Sequence, residues 1–346
     1  MTFEAIGKKL ALAGTGIGLV LVSSKLIQRK GMDLQGQVVL ITGGSRGLGL
    51  ALAEEFARQG ARLVLCSRSN EELSRAQEHL TQWGADVLAI PCDVADPEQV
   101  QSLIDQASEH YGQIDILVNN AGIISVGPIQ TMTRKDFEDA MDIMFWGTYN
   151  TTMAILPQML QRRSGHITNI TSIGGKVSIP HLLPYASAKF AAVGFSQGLR
   201  AELAKEGIKV TTIVPGLMRT GSHVNVTLKG NKHQEEYIAF SILDTLPFTS
   251  ISVRSAAKQI VAATRRGSAE VVLSIQAQVL AYFHGIFPGT TSNIMALTNR
   301  FLPSGADAGT ESHTGKESET PLTQSFLTVL GQKAARRYNE LDEAKS

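Results

Sequence analysis

From Val38 to about Pro303 the sequence alternates short, almost uninterrupted apolar runs with longer segments in which apolar residues recur every three or four positions. That alternation leaves few folds open: a parallel sheet whose strands are buried on both faces, with helices covering each side. VVLIT (38–42), RLVLC (62–66), VLAI (87–90), ILVN (116–119), HITNIT (166–171), KVTTIV (209–214) and EVVLS (270–274) are the predicted strands. Right-handed crossovers between them dictate an α/β fold with a Rossmann-type, doubly wound, seven-stranded parallel sheet.

Two flanks fall outside the pattern. Residues 1–30 carry Lys8, Lys9, Lys25, Arg29 and Lys30 against Glu4, and nothing between Lys9 and Lys25 is charged. That uncharged run is shorter than the ~20 residues that span a bilayer, but lysines at both ends can snorkel. The segment is expected to be a membrane anchor, the alternative being a helix packed on the domain or on a partner. After Pro303, SGADAGTESHTGKESET loses apolar periodicity and reads as a flexible polar linker, followed by an amphipathic docking segment from about Leu322 to Ala344. The expected organisation is therefore an apolar segment at 1–30, a domain at 36–303 and a linker with a C-terminal helix at 304–346.

Composition narrows the function classes. With 43% hydrophobic and 18% charged residues, the chain can bury a core, which excludes wholesale disorder. A net charge of +1 argues against a nucleic-acid binder. Cys66 and Cys92 are the only cysteines, so no disulfide framework is implied. The expected location is the cytoplasm, or a membrane with the domain facing the cytoplasm.

The first strand runs into TGGSRGLG (Thr42–Gly49) and then a helical pattern, the context of a dinucleotide site. Gly43 permits the turn, Gly47 lets backbone approach a pyrophosphate, and Gly49 lets the helix pack closely, while the helix N-terminus supplies donors. Thr42, Ser45, Arg46 and Leu48 complete the loop. The second strand ends at Ser67 and Arg68, with no carboxylate where an NAD-selective site would hold the ribose 2′-hydroxyl. Arg68 and Arg46 suit a 2′-phosphate, so NADP(H) is the expected cofactor.

Ser172 follows the fifth strand, and Tyr185 and Lys189 stand four apart on a predicted helix opened by Pro184. A tyrosine of ordinary pKa is a poor proton donor and acceptor at neutral pH; a neighbouring ammonium is expected to lower it. Tyr185 would then protonate a carbonyl oxygen as hydride reaches the carbon, with Ser172 bonding the same oxygen.

These motifs together resemble the classical short-chain dehydrogenase/reductase family over roughly residues 36–275. TGGSRGLG matches its cofactor loop, CDV its adenine-contacting turn at Asp93 and Val94, and NNAG (Asn119, Asn120, Ala121, Gly122) its fourth-strand motif. Ser172, Tyr185 and Lys189 match its catalytic set, and PGLMRT (Pro215, Gly216 to Thr220) its nicotinamide-contacting segment. The resemblance implies that Lys189 also bonds the nicotinamide ribose, that Thr220 contacts the carboxamide, that the substrate is a small carbonyl or alcohol, and that the protein forms a homo-oligomer. One position departs: where the family carries a relay asparagine, MFWG places Met144, a thioether that cannot donate. A nucleotide-binding sensor or scaffold with weak catalysis therefore stays open as an alternative, as does a membrane-recruited interaction protein.

Residues from Leu217 to about Ser250 are expected to form a long lid loop, with His223 and His233 on its surface. No ligand spacing points to a metal. The apolar stretch beyond the seventh strand, IQAQVLAYFHGIFPGTTSNIMALTNRFLP, reads as a core or dimer contact; with the apolar N-terminus it also motivates a hydrophobic or lipid-like substrate.

Overall fold

Each of the seven predicted strands forms, and all lie in one sheet. The computed structural model describes residues 31–246, 249–305, 309–325 and 328–341. Strands β1 (Val38–Thr42), β2 (Arg62–Ser67), β3 (Val87–Pro91), β4 (Ile116–Asn119), β5 (Gly165–Ile170), β6 (Ile208–Pro215) and β7 (Glu270–Leu273) are joined in the order β7-β6-β5-β4-β1-β2-β3. All six pairings are parallel. The winding reverses between β1 and β4, and a crevice opens there at the carboxyl ends of the strands.

Helices α1 (Gly47–Arg58), α2 (Asn70–Thr81), α3 (Pro97–Tyr111), α4 (Arg134–Met141), α5 (Gly147–Arg162), α6 (Leu183–Leu203), α7 (His233–Thr245), α8 (Val253–Arg266), α9 (Ile275–Ile286), α10 (Pro288–Thr298) and α11 (Val329–Arg337) surround the sheet. Local chemistry sets their ends. The Asp96 carboxylate accepts the Glu98 and Gln99 N–H groups, Pro97 begins α3, and Gly112 at φ +85° ends it. On one face of the sheet Leu40, Val64, Leu117, Ile167 and Val210 pack against Val100 and Leu103 of α3 and Ile155 and Met159 of α5. Each such side chain contributes about 1.5–3 kcal/mol of burial.

The segment expected as a lid loop is a folded layer. Leu217–Arg219 pairs with Ser250–Ser252, and Thr227–Lys229 pairs with Ser125–Val126. Val126, Val226, Leu228 and Tyr237 give this layer an apolar centre of its own. The expected flexible linker also needs correction, because Ser312–Thr314 forms an antiparallel strand on Thr227–Lys229. Polar side chains suit that edge position, which no apolar alternation marks. The C-terminal helix, α11, is shorter than expected and sits on the lid, where a Cβ on Gly331 would lie 2.7 Å from Thr245 Oγ1.

Among the described residues no helix is long and apolar enough to cross a membrane. The anchor expected within residues 1–30 lies outside the described residues.

Candidate active site

β1 ends at Thr42, and the chain turns through Gly43 (φ +61°) and Gly47 (φ +54°) into α1. Both glycines occupy the left-handed region, where a side chain is strained. Gly49 is needed for a different reason: a Cβ there would collide with the carbonyl oxygen of Gly43. The turn is pinned from the next strand. Thr42 Oγ1 accepts the N–H groups of Asn120 and Ala121 at 2.9 and 3.0 Å, and Asn120 Nδ2 donates to the carbonyls of Thr42 and Gly43 at 3.0 and 3.1 Å. Asn119 is buried and ties the sheet internally, donating to Asn169 Oδ1 at 2.9 Å and accepting from Thr151 Oγ1 at 2.6 Å.

Above these strand ends lies a cleft of about 570 Å³. The glycine loop (Gly43, Ser45, Arg46, Gly47, Leu48, Gly49), Ser67 and Arg68 at the end of β2, and Asp93 and Val94 after β3 line one part of it. Asn120, Ala121 and Gly122 after β4, Pro215 at the end of β6, and Gly216 and Thr220 beyond it line the rest together with Ser172, Tyr185 and Lys189. Thr42 does not line the cleft; it is buried and holds the loop. The sheet therefore converges residues spread over 178 positions of sequence, Gly43 to Thr220, on one cavity.

The strand-to-helix order explains how Ser172, Tyr185 and Lys189 come together. Ser172 leaves β5, and its Oγ accepts the Gly174 N–H at 3.0 Å. Gly174 admits Tyr185 closely, since a Cβ there would stand 3.2 Å from Tyr185 Cε1. One turn on, Lys189 is buried, donates from Nζ to the Ile170 carbonyl at 2.9 Å and lies 5.8 Å from the Tyr185 ring centre. Burial holds the Lys189 ammonium down at about 8. Burial pushes the Tyr185 phenol up, the Ser172 hydroxyl draws it partly back, and the Asp244 charge adds to the rise. The expected lowering of Tyr185 by Lys189 is not seen: desolvation dominates, and the phenol is a proton donor at neutral pH.

Residues 37–230 match the family model for short chain dehydrogenases. A dehydrogenase/reductase SDR family protein 7-like of Anopheles gambiae is 35% identical over 280 residues, covering 79% of this chain and 86% of its own. The oxidoreductase UcpA of Salmonella typhimurium is 36% identical over 220 residues, covering 63% and 83%. The chain belongs to the short-chain dehydrogenase/reductase family. Solved structures agree: a short-chain dehydrogenase from Streptomyces avermitilis superposes with a TM-score of 0.65 at 27% identity over 77% of this chain and 99% of its own. An actinorhodin polyketide ketoreductase with NADPH gives 0.61 at 28% identity over 69% and 95%. As a short-chain dehydrogenase/reductase, the protein is an oxidoreductase of alcohol and carbonyl groups that uses a nicotinamide cofactor and a small-molecule substrate.

The structure places five further residues at or beside this site. Met144 sits in a π-helical turn, Asp142–Trp146, with its Sδ and Lys189 Nζ both facing Gly122, 3.5 and 3.9 Å from where a Cβ would stand. Asn150 is no substitute, because its Nδ2 donates to the Val94 carbonyl at 3.0 Å. Although the end of β2 carries no carboxylate, one reaches it from α2: Glu72 accepts from Ser45 Oγ at 2.9 Å and from Arg46 at 3.1 Å. The sequence held a faint signal, since Glu72 stands three residues after the helix cap Ser69. His223 is buried rather than on the lid surface, and Asp244 of α7 lines the cleft with burial holding its carboxyl up at about 7. Finally, Glu340 from the far C-terminus also lines the cleft.

Proposed function

We propose that this short-chain dehydrogenase/reductase is an NADP(H)-dependent enzyme that interconverts a hydrophobic, lipid-like ketone and its secondary alcohol. The observation that carries the reading is the cleft itself: Ser172, Tyr185 and Lys189 meet at one end, and Arg68 stands exposed at the other. The chain fits a dinucleotide on its own geometry, because Gly43 and Gly47 turn at positive φ into α1 and bring the N-terminus of that helix to the wall of the cleft. When bound, the nicotinamide supplies or accepts the hydride. Tyr185 donates its phenolic proton to the carbonyl oxygen, and Ser172 hydrogen-bonds that oxygen. Lys189, fixed by the Ile170 carbonyl, keeps two N–H donors for the cofactor ribose and for returning a proton to Tyr185. Arg46 is engaged by Glu72, so selectivity for a 2′-phosphate falls on Arg68. The NADPH in the ketoreductase relative favours the same cofactor.

The apolar substrate is supported by the helices beyond β7. No Asp, Glu, Lys or Arg stands between Glu270 and Arg300. The inner face, with Ala277, Leu280 and Met295, packs on Ile173, Val177 and Ile179 beside Ser172. The outer face leaves Tyr282 70%, Ile286 69% and Phe301 83% exposed, a patch suited to a membrane surface.

Turnover of NADPH with ketones of increasing chain length tests the reading. Activity should rise with apolar length, and Tyr185→Phe should remove it by about 10²-fold or more while nucleotide binding survives. Arg68→Ala should weaken NADPH about ten- to a hundredfold and leave NADH unchanged. Tighter NADH than NADPH in the wild type would reject the cofactor assignment. Met144 beside Lys189 favours a second reading, a nucleotide-binding protein with slow proton return; a large gain in kcat for Met144→Asn would establish it.

A further inference from the structure

The C-terminal segment meets the glycine loop at its anion-binding end. The Gly47 N–H, the first of α1, donates to the Tyr338 carbonyl at 2.8 Å. Asn339, held in the left-handed region at φ +57°, donates from Nδ2 to the carbonyls of Ser45 at 2.9 Å and Glu72 at 3.0 Å. Arg75 Nε donates to its Oδ1 at 2.8 Å. The Glu340 carboxylate, 6% exposed, lies against Gly47 where a Cβ would stand. Asn225 Nδ2 donates to its Oε2 at 2.7 Å and to its main-chain carbonyl at 3.0 Å, and Arg46 Nε is 3.5 Å from Oε2.

We infer that Val329–Leu341 is a tethered competitor of the dinucleotide, seating a carbonyl and a carboxylate where the pyrophosphate must bind. This rests on the cleft being a dinucleotide site. A helix N-terminus attracts anions, and here its leading donor is taken and an acidic side chain stands before it. A segment that closed over a bound cofactor to assist it would leave the N–H free and bring a cation. The tail instead draws on Arg46, a cation the pyrophosphate end could use. Burial pushes the Glu340 carboxyl up to about 7, the mark of an acid kept from solvent beside Glu72.

The hold is reversible in kind. The residues α11 buries are small, Gly331 and Ala335. Ala335 fits because Gly221, at φ +86°, has no side chain; a Cβ there would overlap the Ala335 backbone. Beyond the helix the tail buries one large side chain, Tyr338, and its other contacts include polar ones such as Arg337 Nη2 at 3.8 Å from Glu54 Oε2. Such a contact yields to a ligand that binds the same donors more tightly, and until then it reduces apparent affinity by the fraction of chains with the tail seated.

Calorimetric titration of NADPH and NADH, and amide exchange, test this on the full chain, on a chain ending at Arg337, and on Asn339→Ala. Both variants should bind nucleotide about tenfold more tightly. In the full chain, nucleotide should speed exchange at Tyr338–Glu340. Asn339→Ala and the exchange measurement decide the matter if the shortened chain does not fold. Equal or weaker affinity in the variants, or slower tail exchange on binding, would overturn the inference and make the tail part of the cofactor site. Tight binding of NADH alone would overturn the NADP assignment and leave the competition standing, whereas binding of neither nucleotide to any form would overturn both.

Discussion

Lys189 and Asp244 give the chemistry a pH dependence of definite sign. An amine held down at about 8 is charged below that pH and neutral above it. Asp244, held up at about 7 chiefly by burial, gains negative charge as pH rises past that value. Ketone reduction should therefore decline as pH rises through 7 and fall more steeply through about 8, while the Tyr185 phenol stays protonated throughout. A pH profile of kcat that stayed flat beyond 8 would remove Lys189 from the proton path. Tyr185 and Lys189 were legible because the spacing of one helical turn fixes their shared face before any tertiary structure is known. Glu340 was not, because its partners Arg46 and Asn225 are supplied only by the folded chain. Met144 was legible as a departure, but the π turn that carries it follows no residue pattern.

Among the elements, the seven sheet strands could be read because burial on both faces demands continuous apolar runs. The lid could not: Leu217–Arg219, Thr227–Lys229 and Ser250–Ser252 are each three residues long, and their partners are distant. What fixes the lid is also unreadable from pattern. Lys229, 5% exposed, pairs with Asp136 of α4 at 3.1 Å and donates to Ser312 at 2.9 Å. Burial pushes Asp136 up, but the Thr133 bonds and Lys229 hold it below its ordinary value. Lys229→Ala leaves that carboxylate without its cation, so unfolding stability should drop by about 3 kcal/mol in urea titration. Amide protection should be lost first across residues 227–245. A drop confined to a few tenths would mean that water reaches Asp136 and replaces the lysine.

For the molecule as a whole, the described residues combine a dinucleotide sheet, a lid and a C-terminal segment that reaches back to the first turn of the sheet. The apolar outer face is a property of this same scale, since α9, α10 and Phe301 beyond them build it together. The proposed membrane contact of this face can be checked by flotation with phosphatidylcholine vesicles: Tyr282→Lys and Phe301→Lys together should lower the bound fraction several-fold, as each would place a charge in that contact. Gly221 is where a change of one carbon reaches furthest. A methyl group there would act as a wedge beneath Ala335, and the positive φ would resist it as well. Gly221→Ala should thus free the tail without deleting a residue of it, leaving an enzyme that meets its coenzyme with an empty seat and no longer needs to be unlatched.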